Sequence, residues 1–492
     1  MPIRLFNTLT SQQEELFAED GKRIRIYACG PTVYDYGHIG NFRTFVHVDI
    51  LRRALLMEGF ALDHVMNITD VDDKIIRNAT AASLPIAKYT SKFTQAFLED
   101  MDFLAIQRPE HMVRATEYIA EMVAMIQTLA DKGLAYRTED GSWYFRIAGF
   151  PSYGKLSKRD FAGMEDGARV DLDEYDKDSA RDFALWKAPK PDEYFWETPI
   201  GPGRPGWHIE CSAMARKFLG DSFDLHLGGE DLMFPHHENE IAQSESATGK
   251  PFARHWMHVR FLLIEGRKMS KSEGNFFTLR DLLLQGYKAS AIRFLLTSVP
   301  YRHQFNFTLS GLVESASAIE RLRALHRRLT DGTFPAGSNA ALHSDTAAAD
   351  QAFHDALCDD LNTAEARAAI FDLVRAANTA ADQGTLQADN ATEILALLAR
   401  FDSIFDVLTD RDADISRAAL AWAELEGVQE QAAEHLRHAY QLTDEEIDLQ
   451  IAARNDARKR RDFKQADAIR DDLAGKGILL EDSRDGVHWK RK

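Results

Sequence analysis

The stretch Tyr27-Ala-Cys-Gly-Pro-Thr-Val-Tyr-Asp-Tyr-Gly-His-Ile-Gly-Asn41 constrains this chain more than any other. Ahead of it, Ile24, Ile26 and Ala28 alternate with Arg23, Arg25 and Tyr27, the period of two that predicts a strand. Beyond it, Phe42, Phe45, Val46, Leu51 and Leu55 recur at helical spacing. A cysteine therefore stands at the carboxyl end of a strand, and His38-Ile-Gly-Asn41 stands where a helix begins. In open α/β sheets ligands bind at strand carboxyl ends, and helix N-termini attract phosphate. The pattern predicts the floor of a nucleotide site.

With 492 residues the chain is long enough for several domains with cores of their own. A formal net charge of −18 argues against a uniformly basic nucleic-acid binder. Local basic patches still count, because charges farther apart than roughly 8 Å are screened at physiological salt. Three cysteines, Cys29, Cys211 and Cys358, are too few for a disulfide framework. The N-terminus lacks the apolar core of a signal peptide, and no apolar run reaches the roughly 20 residues that span a membrane. These features predict a reduced, cytoplasmic setting.

Taken in order, Ala61–Ile68 predicts a second strand leading into Asn67-Ile-Thr-Asp-Val-Asp-Asp-Lys74. Its aspartates suit the capping of the next helix better than a cation, since the Asp/Asn/Gly loop of a calcium site is missing. From about 116 to 206 the texture is that of an insertion, with a strand near Trp143, an acidic run Glu165–Asp182 read as a solvated face, and several prolines. Trp207, Cys211, Met214, Ala215 and Phe218 then share a helix face, and Phe223, Leu225 and Leu227 form a strand ending in Gly228-Gly-Glu-Asp231. Pro235 is expected to start a helix carrying His236-His-Glu-Asn-Glu240. Residues 258–264 read as one apolar strand before Lys268-Met-Ser-Lys-Ser272. A long helix with Leu312, Ile319, Leu322 and Leu329 buried follows, then a loop over Thr330–Ala349 and helices near 364–382 and 390–407. Thr443-Asp-Glu-Glu446 is a capping box opening a helix that passes into the basic Arg454–Lys464. Asp485-Gly486 marks a terminal hairpin.

Singly, Cys29, Cys211 and His236 each have a bland explanation as core residues. Together they differ. His236 and Glu240 are i and i+4 and project from one helix face, whereas His237 and Glu238 are expected to project elsewhere. Two sulfurs, an imidazole and a carboxylate match a zinc donor set, although the missing C-x-x-C pair leaves the spacing only partly diagnostic.

His38-Ile-Gly-Asn41 and Lys268-Met-Ser-Lys-Ser272 resemble the two signatures of class I aminoacyl-tRNA synthetases. Cys29-Gly-Pro-Thr-Val-Tyr-Asp35, Thr69-Asp-Val-Asp-Asp-Lys-Ile75, Gly206-Trp-His-Ile-Glu-Cys-Ser-Ala-Met214 and Phe234-Pro-His-His-Glu-Asn-Glu240 resemble the cysteinyl-tRNA synthetase family. The likeness runs over nearly the whole chain. It implies an α/β Rossmann-type parallel-sheet catalytic domain with an insertion, followed by a helical bundle and a small C-terminal mixed α/β unit. The implied boundaries are 1–115 and 207–257 for the two catalytic halves, 116–206 for the insertion and 258–308 for the stem-contact region with the Lys-Met-Ser-Lys-Ser loop. The bundle follows at 309–408, a linker at 409–442 and the anticodon-binding unit at 443–492.

The resemblance also implies one zinc ion per chain on Cys29, Cys211, His236 and Glu240, to which the substrate thiol adds as thiolate. Serine's harder, less acidic hydroxyl cannot replace that sulfur, so no editing domain is required. Cysteine would be activated by ATP with Mg2+ to cysteinyl-adenylate and passed to the 3′-terminal adenosine of tRNA(Cys). His38, Lys268 and Lys271 would stabilise the charge at phosphorus, with Gly37, Gly40 and Asn41 at the ATP phosphates. Thr44, Asn67, Thr69, Trp207, Gly229 and Asp231 would contact the substrate. In the terminal unit, basic residues would meet tRNA phosphates, and Trp489 would either stack on a base or pack inside the unit. Two departures stand out: Asn41 replaces a frequent second histidine, and Glu273 an apolar residue. A monomer is expected. The competing readings are the cysteine ligase of mycothiol synthesis, which lacks the terminal extension, and a non-catalytic tRNA-binding paralogue, against which the intact signatures argue.

Overall fold

The computed structural model describes residues 2–159, 169–170, 182–190, 193–440, 442–483 and 486–491. These form two compact units. The first comprises Met1–Phe276, Leu296–Thr308 and Ala324–Asp406; the second comprises Phe277–Leu295, Leu309–Arg323 and Val407–Lys492.

The first unit is built on five parallel strands and the helices between them. In chain order these are β1 (Arg23–Ala28), α1 (Ile39–Met57), β2 (Ala61–Ile68), β3 (His111–Arg114), α2 (Trp207–Leu219), β4 (Phe223–Gly229), α3 (Glu238–Thr248) and β5 (Ala253–Val259). The sheet order is β5-β4-β1-β2-β3, with Ile26 opposite His64 on one side and Leu225 on the other. Chain progress therefore runs outward in opposite directions from β1, which makes the gap between β1 and β4 the switch point where such sheets bind ligands. Helices cover both faces, so both side-chain sets are buried: Ile24, Ile26, Tyr27 and Ala28 are all at most 2% exposed. Asp224 of β4 is buried too and accepts from the backbone N–H and guanidinium of Arg25.

The insertion carries antiparallel strands Ala135–Arg137, Trp143–Phe145, Asp182–Lys187 and Arg204–Pro205. Most of the acidic run lies outside the described residues. Its last member, Asp182, is not solvated: it is buried and accepts from Ile147 N–H and the Tyr136 hydroxyl. Of the aspartates after β2, one caps the next helix as expected and the other two take other structural partners. Asp72 caps the next helix through Ile75 N–H, Asp70 accepts from Thr116, and Asp73 pairs with Lys187 and Arg204.

Four local expectations need correction. Residues 258–264 are not one strand: β5 ends at Val259, and Leu262–Ile264 pairs in another sheet with Phe305–Phe307. The apolar run hides this break because Arg260 and Phe261 between them are exposed. The Thr330–Ala349 loop is shorter than composition suggests. Helix α4 (Ala340–Cys358) already starts inside it, capped by Asn339, whose side chain accepts from Ala341 and Leu342 N–H. The helix expected from Pro235 begins regularly only at Glu238, because Phe234 is extended (φ −139°, ψ 130°). The basic terminal helix is two helices, α5 (Asp444–Lys459) and α6 (Phe463–Gly475), separated where Arg461 takes φ 63°.

In the second unit, the Thr443 capping box is present, with Thr443 Oγ1 accepting from Glu446 N–H and Glu446 from Thr443 N–H. Ile447, Ile451, Leu473 and Ile478 form the small core, against which Leu480, Val487 and Trp489 pack. Strands Ile478–Ser483 and Gly486–Arg491 pair antiparallel; Asp485 of the predicted turn lies outside the described residues. Among the described residues no helix is long and apolar enough to cross a membrane.

Candidate active site and metal centre

At the switch point, Cys29 continues β1 and donates its backbone N–H to Leu227 O of β4 (3.1 Å). Cys211 comes from α2, His236 from the turn before α3 and Glu240 from its first turn. Their ligand atoms lie within 4.8 Å of one another, and all four residues are at most 6% exposed. His236 Nε2 is 3.1 Å from Glu240 Oε1, as the i, i+4 spacing predicts. Two soft sulfurs, one imidazole and one carboxylate converging in a dry place fit a thiophilic divalent cation such as zinc.

The surroundings hold these side chains in place. His226 Nε2 lies 2.9 Å from Glu240 Oε2, and His208 Nδ1 lies 2.9 Å from His236 Nδ1. Trp207 packs over the His236 ring at 4.3 Å between centroids. His237 does not project elsewhere: its Nε2 is 3.3 Å from Cys29 Sγ, and its Nδ1 is 2.9 Å from His258 Nε2. The irregular turn before Glu238 defeats the ideal angular spacing used for that expectation. Cys29, His226, His237 and Glu240 thus make a second donor quartet, sharing two members with the first. Glu238 does turn away, accepting from the backbone of Gly154, Leu156 and Ser157.

Electrostatics follow from this crowding. Burial alone would raise the Glu240 pKa, but His226 and His236 pull it down to about 2. Burial opposes a charge on His236, yet Glu240 and Cys211 push its pKa up to about 10. Against burial, the Cys29 hydrogen bond and His236 bring the Cys211 thiol down to about 6. Burial, then Cys211, drives the Cys29 thiol up.

The nucleotide-facing end is the start of α1. His38 caps it: Asn41 N–H donates to His38 Nδ1 (3.2 Å), and Asn41 Oδ1 accepts from His38 N–H (3.2 Å). Asn41 is therefore one half of a reciprocal cap. Burial, then the Lys271 charge, lowers the His38 pKa to about 4. A neutral ring accepting at Nδ1 carries its proton on Nε2. Gly37 and Gly40 leave room for the chain's own side chains: an added Cβ would stand 2.8 Å from the Phe42 ring and 3.0 Å from the His38 ring, respectively. Lys271 Nζ donates to Asp35 Oδ2 (2.9 Å) and lies 4.9 Å from the Phe276 ring centre. Lys268 is exposed, its carbonyl accepting from Asn275 Nδ2. Glu273 pairs with Arg267 at 3.2 Å, both on the surface.

Of the substrate positions, Asn67 and Thr69 are buried at the end of β2. Asn67 Oδ1 accepts from Gly30 N–H, Asn67 Nδ2 donates to Thr69 Oγ1, and Thr69 Oγ1 donates to Glu210 Oε2. A Cβ on Gly229 would fall 2.4 Å from Asp231 Oδ1 and 3.7 Å from Thr44 Oγ1, so these three cluster. Residues that pattern reading missed are His208, Glu210, His226 and His258. A signal existed for His226: a histidine in a strand buried on both faces needs a partner. Gly30 also escaped notice, although a Cβ there would lie 1.7 Å from Asn67 O.

Residues 16–317 match the model of the tRNA synthetases class I (C) catalytic domain, 352–409 the DALR domain and 442–489 the cysteinyl-tRNA ligase anticodon binding domain. The chain is 56% identical over 496 residues to a cysteine–tRNA ligase of Koribacter versatilis, covering all of both chains. It is 55% identical over 492 residues to that of Solibacter usitatus, again over both full lengths, and 42% over 506 residues to that of Chlamydia muridarum, likewise complete. Among solved structures, a Mycobacterium tuberculosis methionyl-tRNA synthetase with methionyl-adenylate aligns at TM-score 0.57 and 15% identity. That alignment covers 86% of this chain and 95% of the other, a likeness of fold. The chain belongs to the cysteine–tRNA ligase family of class I aminoacyl-tRNA synthetases.

Proposed function

We propose that this chain activates L-cysteine with ATP and Mg2+ and transfers it to the 3′-terminal adenosine of tRNA(Cys), with Cys29, Cys211, His236 and Glu240 holding zinc. The observation carrying this reading is the buried S2NO quartet, whose Cys29 lies on the same strand-to-helix connection as the His38 cap. Bound there, zinc would supply a soft Lewis acid that prefers a thiolate to serine's hydroxyl. His226 and His208 orient Glu240 and His236, fixing the cage before substrate arrives. Thr44, Asn67, Thr69, Trp207, Gly229 and Asp231 position the amino acid beside it. The cysteine carboxylate attacks the α-phosphorus, forming the adenylate and releasing pyrophosphate. His38, neutral and tethered at Nδ1, directs its Nε2–H at phosphate. Lys271 leaves Asp35 to neutralise pyrophosphate oxygens, assisted by Lys268; Gly37, Gly40 and Asn41 keep the α1 start shaped for this. A terminal ribose hydroxyl of the tRNA then displaces AMP.

In this reading 443–492 binds the anticodon, 309–408 is the supporting bundle, and the protein is a cytoplasmic monomer. The test is cysteine- and serine-dependent ATP–pyrophosphate exchange with metal analysis, on the wild type and on Cys29→Ser. We expect exchange with cysteine alone, and loss of the active-site zinc and of exchange in the variant. Full zinc and exchange in Cys29→Ser would overturn the assignment.

A further inference from the structure

A third group of donors lies away from the active site, at the far end of α1. Glu58 caps the C-terminus of α1, and His354 and Cys358 occupy i and i+4 on the last turns of α4. Glu58 Oε1 is 2.9 Å from His354 Nε2, Cys358 Sγ is 3.7 Å from the same nitrogen, and all three ligand atoms lie within 4.8 Å of one another. We propose that Glu58, His354 and Cys358 form a second, structural site for a thiophilic divalent cation, clipping α4 to α1.

The geometry fits such an ion. Tetrahedral zinc with ordinary bond lengths places a sulfur and a nitrogen about 3.6 Å apart, and an oxygen and a nitrogen about 3.3 Å apart. The observed S–N distance already agrees, and the O–N distance need open only a few tenths of an ångström. Cys358 is 1% exposed, whereas the Glu58 and His354 side chains are 19% and 16% exposed. The cluster is therefore closed on its sulfur side and partly open to solvent at Glu58 and His354.

Helix dipoles favour the same outcome. Both α1 and α4 end here, so two negative helix termini converge where a cation would sit. The backbone beyond Cys358 is fastened: Asp360 N–H donates to Arg4 O, and its carboxylate accepts from Phe6 N–H.

Burial, then the neighbouring Glu58 charge, pushes the Cys358 thiol up to about 11, so the unliganded cluster holds a neutral thiol. Binding therefore forms a metal–sulfur bond and releases one proton to solvent. The two active-site quartets share Cys29 and Glu240 and cannot account for a second ion.

The test uses the full chain equilibrated against buffered Zn2+ and measured by native mass spectrometry and metal analysis. We expect two zinc ions in the wild type, and one in each of Cys358→Ser and His354→Gln, which keep aminoacylation but lose a zinc-dependent rise in melting temperature. Cys29→Ser should lose the other ion only, which separates this site from the active-site assignment. If Cys358→Ser fails to fold, His354→Gln and Glu58→Gln decide. One ion in the wild type, meaning that the cluster is only an ion pair beside a core cysteine, overturns the proposal. So does a second ion retained by any folded variant of the three ligands.

Discussion

The quartet of Cys29, Cys211, His236 and Glu240 and the loop carrying Lys268 and Lys271 serve one proposed reaction but are built in opposite ways. The quartet is drawn from a strand and two helix regions, is almost fully buried, and is braced by further histidines. The loop is exposed: the Lys271 side chain is 66% accessible, and its partner Asp35 39%. Buried charges are tolerated only when paired and hydrogen-bonded, so a soft-donor cage has to be complete before its ligand arrives. A lysine that must exchange a carboxylate for a phosphate gains nothing from burial, since its interaction has to break and re-form.

The comparison can be broken experimentally, beginning with the largest effect. Cys211→Ala should remove the active-site zinc and reduce cysteine-dependent exchange by more than the roughly 10–100-fold typical of an outer partner. Wild-type metal content would break the contrast at once. Lys271→Ala should reduce exchange by about 10²–10³-fold while leaving zinc content and melting temperature unchanged, because exposed pairs contribute only about 0–1 kcal/mol to stability. A large loss of stability would mean the loop is as integral as the cage. His226→Asn should weaken zinc affinity about 10–100-fold, read in a zinc-buffered titration, with little change in the ATP KM.

Smaller effects sharpen the picture at α1. Asn41→Ala should cost about 1 kcal/mol through the lost cap, measured by denaturant unfolding, with a modest fall in exchange. The His38 pKa lies below its unfolded value, so its contribution to stability is full above about pH 6.5 and falls as the pH drops toward about 4. A histidine NMR titration should place its midpoint near 4, and Lys271→Ala should move it upward. An unmoved midpoint would mean that the loop's charge does not reach the signature.

Much of this was legible in the residues. Period-two and helical spacing located β1, β2, β4, α1 and α2, and the Thr443 capping box marked α5. The grouping of Cys29, Cys211, His236 and Glu240, which the structure brings together, followed from residue chemistry together with the family resemblance. The misses share a cause. His237 and the start of α3 depend on an extended Phe234 that no period encodes, and the break at Arg260-Phe261 separates two sheets within one apolar run. Asp182 read as solvent-facing because polarity was taken for exposure, whereas it is buried with dedicated partners.

What the sequence determined by itself was local. It specified which segments are strands and helices, which end of β1 carries a cysteine, and that His236 and Glu240, four residues apart, meet. Those follow from spacing, capping and propensity, which act over a few residues. Only the tertiary structure decided that β4 lies beside β1, bringing Cys29 against residues from α2 and α3, and that α1 and α4 end together around Glu58, His354 and Cys358. Such meetings depend on sheet order and on burial of both sheet faces, and neither leaves a periodic trace in the chain.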